Sequence, residues 1–345
     1  MSAVSPPHKS ALIGAATLGT LLLVSGSAFA SNGVQDGVRN GQKASADLKG
    51  QNLSAMVESG GVSYNTAKNG KGASAGPLVP QGTWTPPPCW YAPMYSPAEF
   101  QKMQEAIWNV DSTGPEFDAA QRDRYVNGKP YTDFNKDKAG KGYWWSSHAN
   151  ESFPPGWDGC TKQDFWVDKG DPPPNYPQII KPETLAGLAY EKVVVPTTKV
   201  SLSPAANTKV NLPTWAWLDK GEFHPVSVTA SVPALGISAT TTATPVSVKL
   251  EPGTPDATTY PASGVCEFGA DGSIGAKYTP GHADKNPPCG ITYLRSSGDG
   301  TFNLRATITW KISWTSNVAA GGDLPDGNFG SDQPITVQEI QSVNR

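Results

Sequence analysis

The clearest pattern in the chain lies near its end. From Thr301 to Thr315, Phe302, Leu304, Ala306, Ile308, Trp310, Ile312 and Trp314 occupy every second position, and Asn303, Arg305, Thr307, Thr309, Lys311 and Ser313 fill the places between. A strict period of two places one set of side chains on each face of a strand and leaves little room for a helix. At ~3.3 Å per residue the segment spans about 43 Å, long for one strand, so a bend or an exit from the sheet is expected near Trp310. Val226, Val228, Ala230 and Val232 alternate in the same way. Pro233 interrupts that run and Ile237–Thr242 continues it. Shorter candidates are Pro245–Leu250, Gly264–Phe268, Ile291–Leu294 and Ile335–Val337. Short strands separated by Pro and Gly turns, without intervening helices, predict an antiparallel β-sandwich from about residue 185.

The middle of the chain has another character. Seven of the eleven tryptophans fall between Trp84 and Trp166: Trp84, Trp90, Trp108, Trp144, Trp145, Trp157 and Trp166. One helix is well marked there. Ser96 can cap it, Pro97 suits its first turn, and Glu99 completes a capping box. Phe100, Met103, Ile107 and Trp108 recur on one helical face, and Gly114-Pro115 ends the pattern. A weaker helix is expected over Glu116–Tyr125. Residues 81–170 therefore read as a small, irregular, aromatic-rich α+β module, followed by a Pro-rich linker over 171–184 that contains Asp171-Pro172-Pro173-Pro174. Before it, residues 31–80 are rich in Gly, Ser, Ala, Asn and Lys, with Tyr64 as the single aromatic. A stretch so poor in apolar surface predicts a disordered arm.

The first thirty residues resemble an export signal. Lys9 supplies the positive end, Ala11–Val24 an apolar core, and Ala28-Phe29-Ala30 the small residues of a cleavage site before Ser31. About 14 apolar residues fall short of the ~20 that span a bilayer. The expectation is an extracellular or cell-envelope protein after cleavage near Ala30, with no integral membrane segment in the mature chain. Export makes disulfides the first reading of the four cysteines. Cys89–Cys160 and Cys266–Cys289, a bridge in each half, is the simplest of three connectivities.

Composition narrows the function classes. The 36 Gly and 32 Pro with only 17% charged residues fit short strands and long loops. A formal charge of −3 provides no footprint for nucleic acid. No G-x-x-x-x-G-K-[ST] or G-x-G-x-x-G stands in a strand–helix context, so no cofactor is expected.

With the strands laid out, the second half resembles a PKD-type immunoglobulin-like domain. More narrowly, it resembles a family of secreted actinomycete proteins of unknown function. The resemblance rests on Leu212–Val232, Thr244–Gly253 and Cys289–Ser316. Leu250-Glu251-Pro252-Gly253 stands where that domain type has its W-D-F-G turn, Ile291-Thr292-Tyr293 where it has H-x-Y, and Gly300–Thr309 where it has its G-x-Y-x-V strand. It implies a sandwich fold and assigns no activity.

Candidate chemistry lies in the aromatic module. Trp144, Trp145, Trp157 and Trp166, with Asp158, Asp164 and Asn150, have the composition of a sugar-binding face; the alternative is that these rings are the core of a module poor in aliphatics. On a strand, adjacent Trp144 and Trp145 point to opposite faces, which puts one of them nearer solvent. A glycosidase needs two placed carboxylates, and Glu151 with Asp158, or Asp164 with Asp168, are neighbours only in sequence. His148 stands beside Ser146 and Ser147, without a G-x-S-x-G elbow. Asp133-x-Asn135-x-Asp137 opens like a calcium loop, but Lys138 replaces the glycine and Trp144 the bidentate Glu, so no metal is expected. His224 and His282 read as loop surface residues. The combined expectation is a mainly β, non-catalytic envelope or extracellular interaction protein whose sandwich is scaffold and whose aromatic module is the contact surface. Its partner would be a cell-wall or extracellular glycan or an envelope protein. The alternative is a secreted protein that binds or cleaves polysaccharide with the same module.

Overall fold

A computed structural model describes residues 60–71, 75–109, 114–218, 223–283 and 285–340. The expected leader and most of the expected arm lie outside them.

The described chain is mainly β. It opens with β1 (Ser63–Asn65), β2 (Gly76–Pro77) and β3 (Val79–Pro80). β4 (Cys89–Tyr95) leads into helices α1 (Pro97–Trp108) and α2 (Pro115–Tyr125), then β5 (Gly142–Ala149) and β6 (Phe165–Asp168). Helix α3 (Pro182–Glu191) is followed by β7 (Val194–Val195), β8 (Ser201–Ser203), β9 (Asn207–Lys209), β10 (Thr214–Leu218) and β11 (Val226–Val232). The remainder is β12 (Ile237–Glu251), β13 (Ala257–Tyr260), β14 (Val265–Glu267), β15 (Ile274–Gly275), β16 (Gly290–Tyr293), β17 (Phe302–Ser316) and β18 (Gly322–Gln338).

The largest sheet has the order β1-β11-β12-β17-β18-β3, with β14 also on β12 and β9 on β18. Its centre is the alternating segment read from the sequence. Leu304, Ala306, Ile308, Trp310, Ile312 and Trp314 of β17 are all buried. The strand does not leave the sheet near Trp310 but runs from Phe302 to Ser316; its pairings are irregular there, with a register shift between Pro245 and Ser247 of β12 and another opposite Lys311, where β18 carries Pro325. Pro245 and Pro325, which have no N–H to give the ladder, sit at these irregularities. β12 joins two segments expected to be separate strands.

A second, five-stranded sheet runs β13-β16-β10-β15, with β8 also on β10. Cys266 of β14 bonds Cys289, which directly precedes β16, so this disulfide ties the two sheets together. The other bridge, Cys89–Cys160, holds β4 to the loop before β6. Both are the pairings expected within each half. The capping box of α1 is also present: Ser96 N donates to Glu99 Oε2 (2.8 Å) and Glu99 N donates to Ser96 Oγ (3.4 Å).

Three expectations need correction. The arm does not extend to Pro80. Residues 60–80 include strands at both edges of the large sheet, β1 on β11 and β3 on β18, and β2 pairs with β7 in between. Val62 and Leu78 are buried along this path. The segment has too little apolar surface to order itself, and it is ordered by sheet edges that complete its hydrogen bonds. Secondly, residues 171–184 are docked, not free: Tyr91 N donates to Gln178 O and Ile180 N donates to Tyr91 O, with Ile180 buried. Thirdly, α3 occupies the start of the expected all-strand region. Its Leu185, Ala186, Leu188, Ala189 and Tyr190 are buried, and Thr241 Oγ1 of β12 donates to Ala186 O (2.8 Å). One hydrophobic core consequently runs from Trp90, Trp145 and Phe165 through α3 to both large sheets. A second, separate core under α1 and α2 contains Phe100, Tyr125, Phe134 and Trp144.

Candidate functional site

The three-stranded sheet β4-β5-β6 carries most of the residues singled out from the sequence. Strand alternation sends Trp144, Ser146 and His148 to one face and Trp145, Ser147 and Ala149 to the other. The expectation that one tryptophan of the tandem lies nearer solvent fails, because both faces are covered. Trp144 is 0% exposed. It stacks on Phe100 at 4.0 Å, meets the edges of Tyr125, Tyr131 and Trp166, and donates its indole N–H to Phe134 O (2.9 Å). Trp145, 2% exposed, stacks on Phe165 within the main core. Trp166 is half-buried and donates to Asp168 Oδ1 (2.8 Å). Trp157 belongs to the short helical turn Pro154–Gly159. Trp144 and Trp145 are thus core and not contact surface.

Asp164, expected as a ligand-face residue or half of an acid pair, is the hub of a buried polar cluster. Ser146 Oγ donates to Asp164 Oδ1 (2.5 Å) and Gln104 Nε2 to Asp164 Oδ2 (3.3 Å). The Asp164 backbone carbonyl accepts from Arg124 Nη2 (3.3 Å) and Tyr125 Oη (3.4 Å). Burial pushes the Asp164 carboxyl up to about 6, opposed by the Ser146 hydrogen bond and the Arg124 charge. These partners come from β5, α1 and α2, so the cluster is a polar rivet joining both helices to the sheet. A carboxyl titrating near 6 has the proton affinity of a general acid. Asp168, however, lies at the surface in an ion pair with Lys138 (3.4 Å), and Glu151 and Asp158 are exposed. Of the second candidate pair, Asp164 is buried and Asp168 is half-exposed.

His148 is buried against Trp90, with ring centroids 4.9 Å apart, and burial holds its imidazole down at about 4. It lies beneath Gly60, where a Cβ would stand 2.4 Å from His148 Cγ and φ is +60°; glycine is required on both counts. Trp90 donates its indole N–H to Gly60 O (2.8 Å), pinning the strap to this spot. Ser146 gives its hydroxyl to Asp164, and Ser147 belongs to the opposite face, so the three neighbours do not form a nucleophile–base pair. Asp133 pairs with Lys136 while Asn135 is buried, and the two do not form a calcium loop. Among the described residues, no group of three or more His, Cys, Asp or Glu is placed to hold a metal ion.

Sequence reasoning missed one aromatic group. In β10, Trp215 and Trp217 share one face, while Ala216 and Leu218 of the other face belong to the main core. Trp215 belongs to neither core cluster; it is covered by Tyr278 (5.9 Å, edge-on) and His282 (6.2 Å, stacked) from the loop after β15. His282 is therefore an aromatic partner and not simply a loop surface residue. Trp217, Tyr278 and His282 remain partly exposed. A cleft of about 860 Å³ opens between Thr197–Leu202 and Ser331–Ile335, and Trp217 is part of its lining. The W-x-W spacing on a short strand was the available signal.

No family model, curated protein or solved structure matches this chain.

Proposed function

We propose that this chain is an exported, non-catalytic interaction protein of the cell envelope or extracellular space. Its two large sheets serve as a scaffold, in our reading an immunoglobulin-like sandwich of the PKD type. The observation that carries the proposal is the cysteine inventory: all four are consumed in two disulfides, one bracing the aromatic module and one tying the sheets together. Disulfides used in this way belong to oxidising compartments. One further fact supports it. Asp164, Ser146 and His148 of the aromatic module are buried in packing and riveting contacts.

The test is mass spectrometry, with thiol alkylation before reduction, on protein recovered from an exporting host. The expected product begins at Ser31 and has no alkylated cysteine. Four alkylated cysteines, or an intact leader on a cytosolic product, would overturn the proposal. Incubation of the same material with purified peptidoglycan should release no soluble sugar or peptide.

A further inference from the structure

The outer face of the five-stranded sheet carries two tryptophans. Trp215 and Trp217 stand two residues apart on β10, so their ring bases are about 7 Å apart on one face. Glycines occupy one flank, Gly290 opposite Trp215 and Gly275 opposite Trp217. Serines occupy the other, Ser203 opposite Trp215 and Ser201 opposite Trp217. Neither glycine has room for a side chain: a Cβ on Gly275 would lie 2.2 Å from Ala216 O and one on Gly290 2.3 Å from Thr214 O. The strand position opposite Trp217 therefore carries no side chain, while the ring of Pro287 packs over Gly290 beside Trp215. Trp215 is held between Tyr278 and His282 at 6% exposure, and its indole N–H has no hydrogen-bond partner. That is an aromatic group buried by surface residues, outside either core.

We propose that this face, Trp217 with Tyr278, His282, Ser201 and Ser203 over the buttress of Trp215, is a binding platform for a glycan chain. The inference rests on the interaction-protein reading above and names its ligand class. A sugar ring is apolar on its C–H faces and rich in hydroxyls at its edge. It is matched by a flat indole bordered by small hydroxyl side chains and an imidazole, groups that give hydrogen bonds without walling off the ring. Protein interfaces also use Trp and Tyr, but set them in a wider, largely apolar buried patch. The exposed large aliphatics here, Val79, Leu235, Leu294, Val318 and Ile340, lie outside β8, β10 and β15. The face also continues through Trp217 into the cleft of about 860 Å³, whose rim carries Lys199, Ser331, Asp332 and Gln333, so a chain of several sugar units has somewhere to run.

The test uses the mature full-length protein, with insoluble peptidoglycan, chitin and cellulose as probes in co-sedimentation. Trp217→Ala and Trp217→Phe are compared with wild type, and far-UV circular dichroism and melting temperature establish that each variant is folded. Wild type should sediment with at least one polymer. Trp217→Ala should weaken retention tenfold or more, and Trp217→Phe should restore most of it. Retention that is unchanged in folded Trp217→Ala overturns the platform, as does wild type that sediments with none of the three; in both cases the interaction-protein reading keeps its own test. Release of soluble sugar by wild type, with retention still dependent on Trp217, supports the platform and overturns the non-catalytic reading.

Discussion

Replacing Asp164 by Asn tests whether the buried rivet carries the electrostatic cost implied by its surroundings. A carboxyl that titrates near 3.8 in the unfolded chain and at about 6 in the folded one binds its proton more tightly when folded. Its contribution to stability is fully present below about pH 4, declines as pH rises through 6, and is absent above it. The full swing is about 3 kcal/mol, at 1.36 kcal/mol per pH unit. Between pH 8 and pH 5 the wild type should gain roughly 1.4 kcal/mol from this group alone. Asp164→Asn cannot titrate and forfeits that gain. Its amide keeps an oxygen for the Ser146 hydroxyl but faces the Gln104 amide, so its absolute stability also reflects how Gln104 reorients. The informative quantity is the difference between the two proteins as a function of pH, in which the other titrating groups cancel. Urea denaturation followed by tryptophan fluorescence at pH 5, 6, 7 and 8 measures it. The variant should lose ground to wild type by about 1.4 kcal/mol on acidification from pH 8 to pH 5, or roughly 3 °C in melting temperature for a chain of this size. Parallel pH profiles would show that Asp164 does not hold its proton in the fold, and the account of the rivet would fail.

His148 should act with the opposite sign. Its imidazole is held at about 4 against an ordinary 6.5, so its contribution is fully present above pH 6.5 and is lost as pH falls towards 4. The two groups offset each other across this window, and His148→Gln should make the protein gain stability on acidification relative to wild type by about 2 kcal/mol between pH 7 and pH 5, read from the same urea midpoints; equal profiles would refute the burial argument. Replacing Cys266 and Cys289 together by Ser opens a loop of 23 residues in sequence separation and should cost about 3 kcal/mol, whereas the Cys89 and Cys160 pair, 71 apart, should cost about 4 kcal/mol. Chemical denaturation of both double variants checks the order, and a larger loss from the shorter loop would contradict it.

Local physics made several elements legible in the residues alone. The period of two through Phe302–Trp314 specifies a strand buried on one face whatever surrounds it, and the Ser96–Glu99 box specifies a helix start within four residues. Pairing each cysteine within its own half required only that nearby chain segments meet more readily than distant ones. Tertiary structure decided the rest. Alternation places Trp144 and Trp145 on opposite faces, but whether a face is wet depends on what packs over it: α1 and α2 cover one and the main core the other. Residues 60–80 hold too little apolar surface to predict order, and they are ordered by edges of β11 and β18 that are remote in sequence. The helix Pro182–Glu191 has Pro at its first turn and leucines three apart, yet its neighbours are strands, and the burial of its face against β12 is a long-range fact. The polar cluster of Asp164 joins residues 18 to 60 positions away, and no local pattern marks it. On β10, the sequence contained the W-x-W spacing. Only the packing of Ala216 and Leu218 into the core established that both indoles point outward, because a strand's two faces are equivalent until one of them is covered.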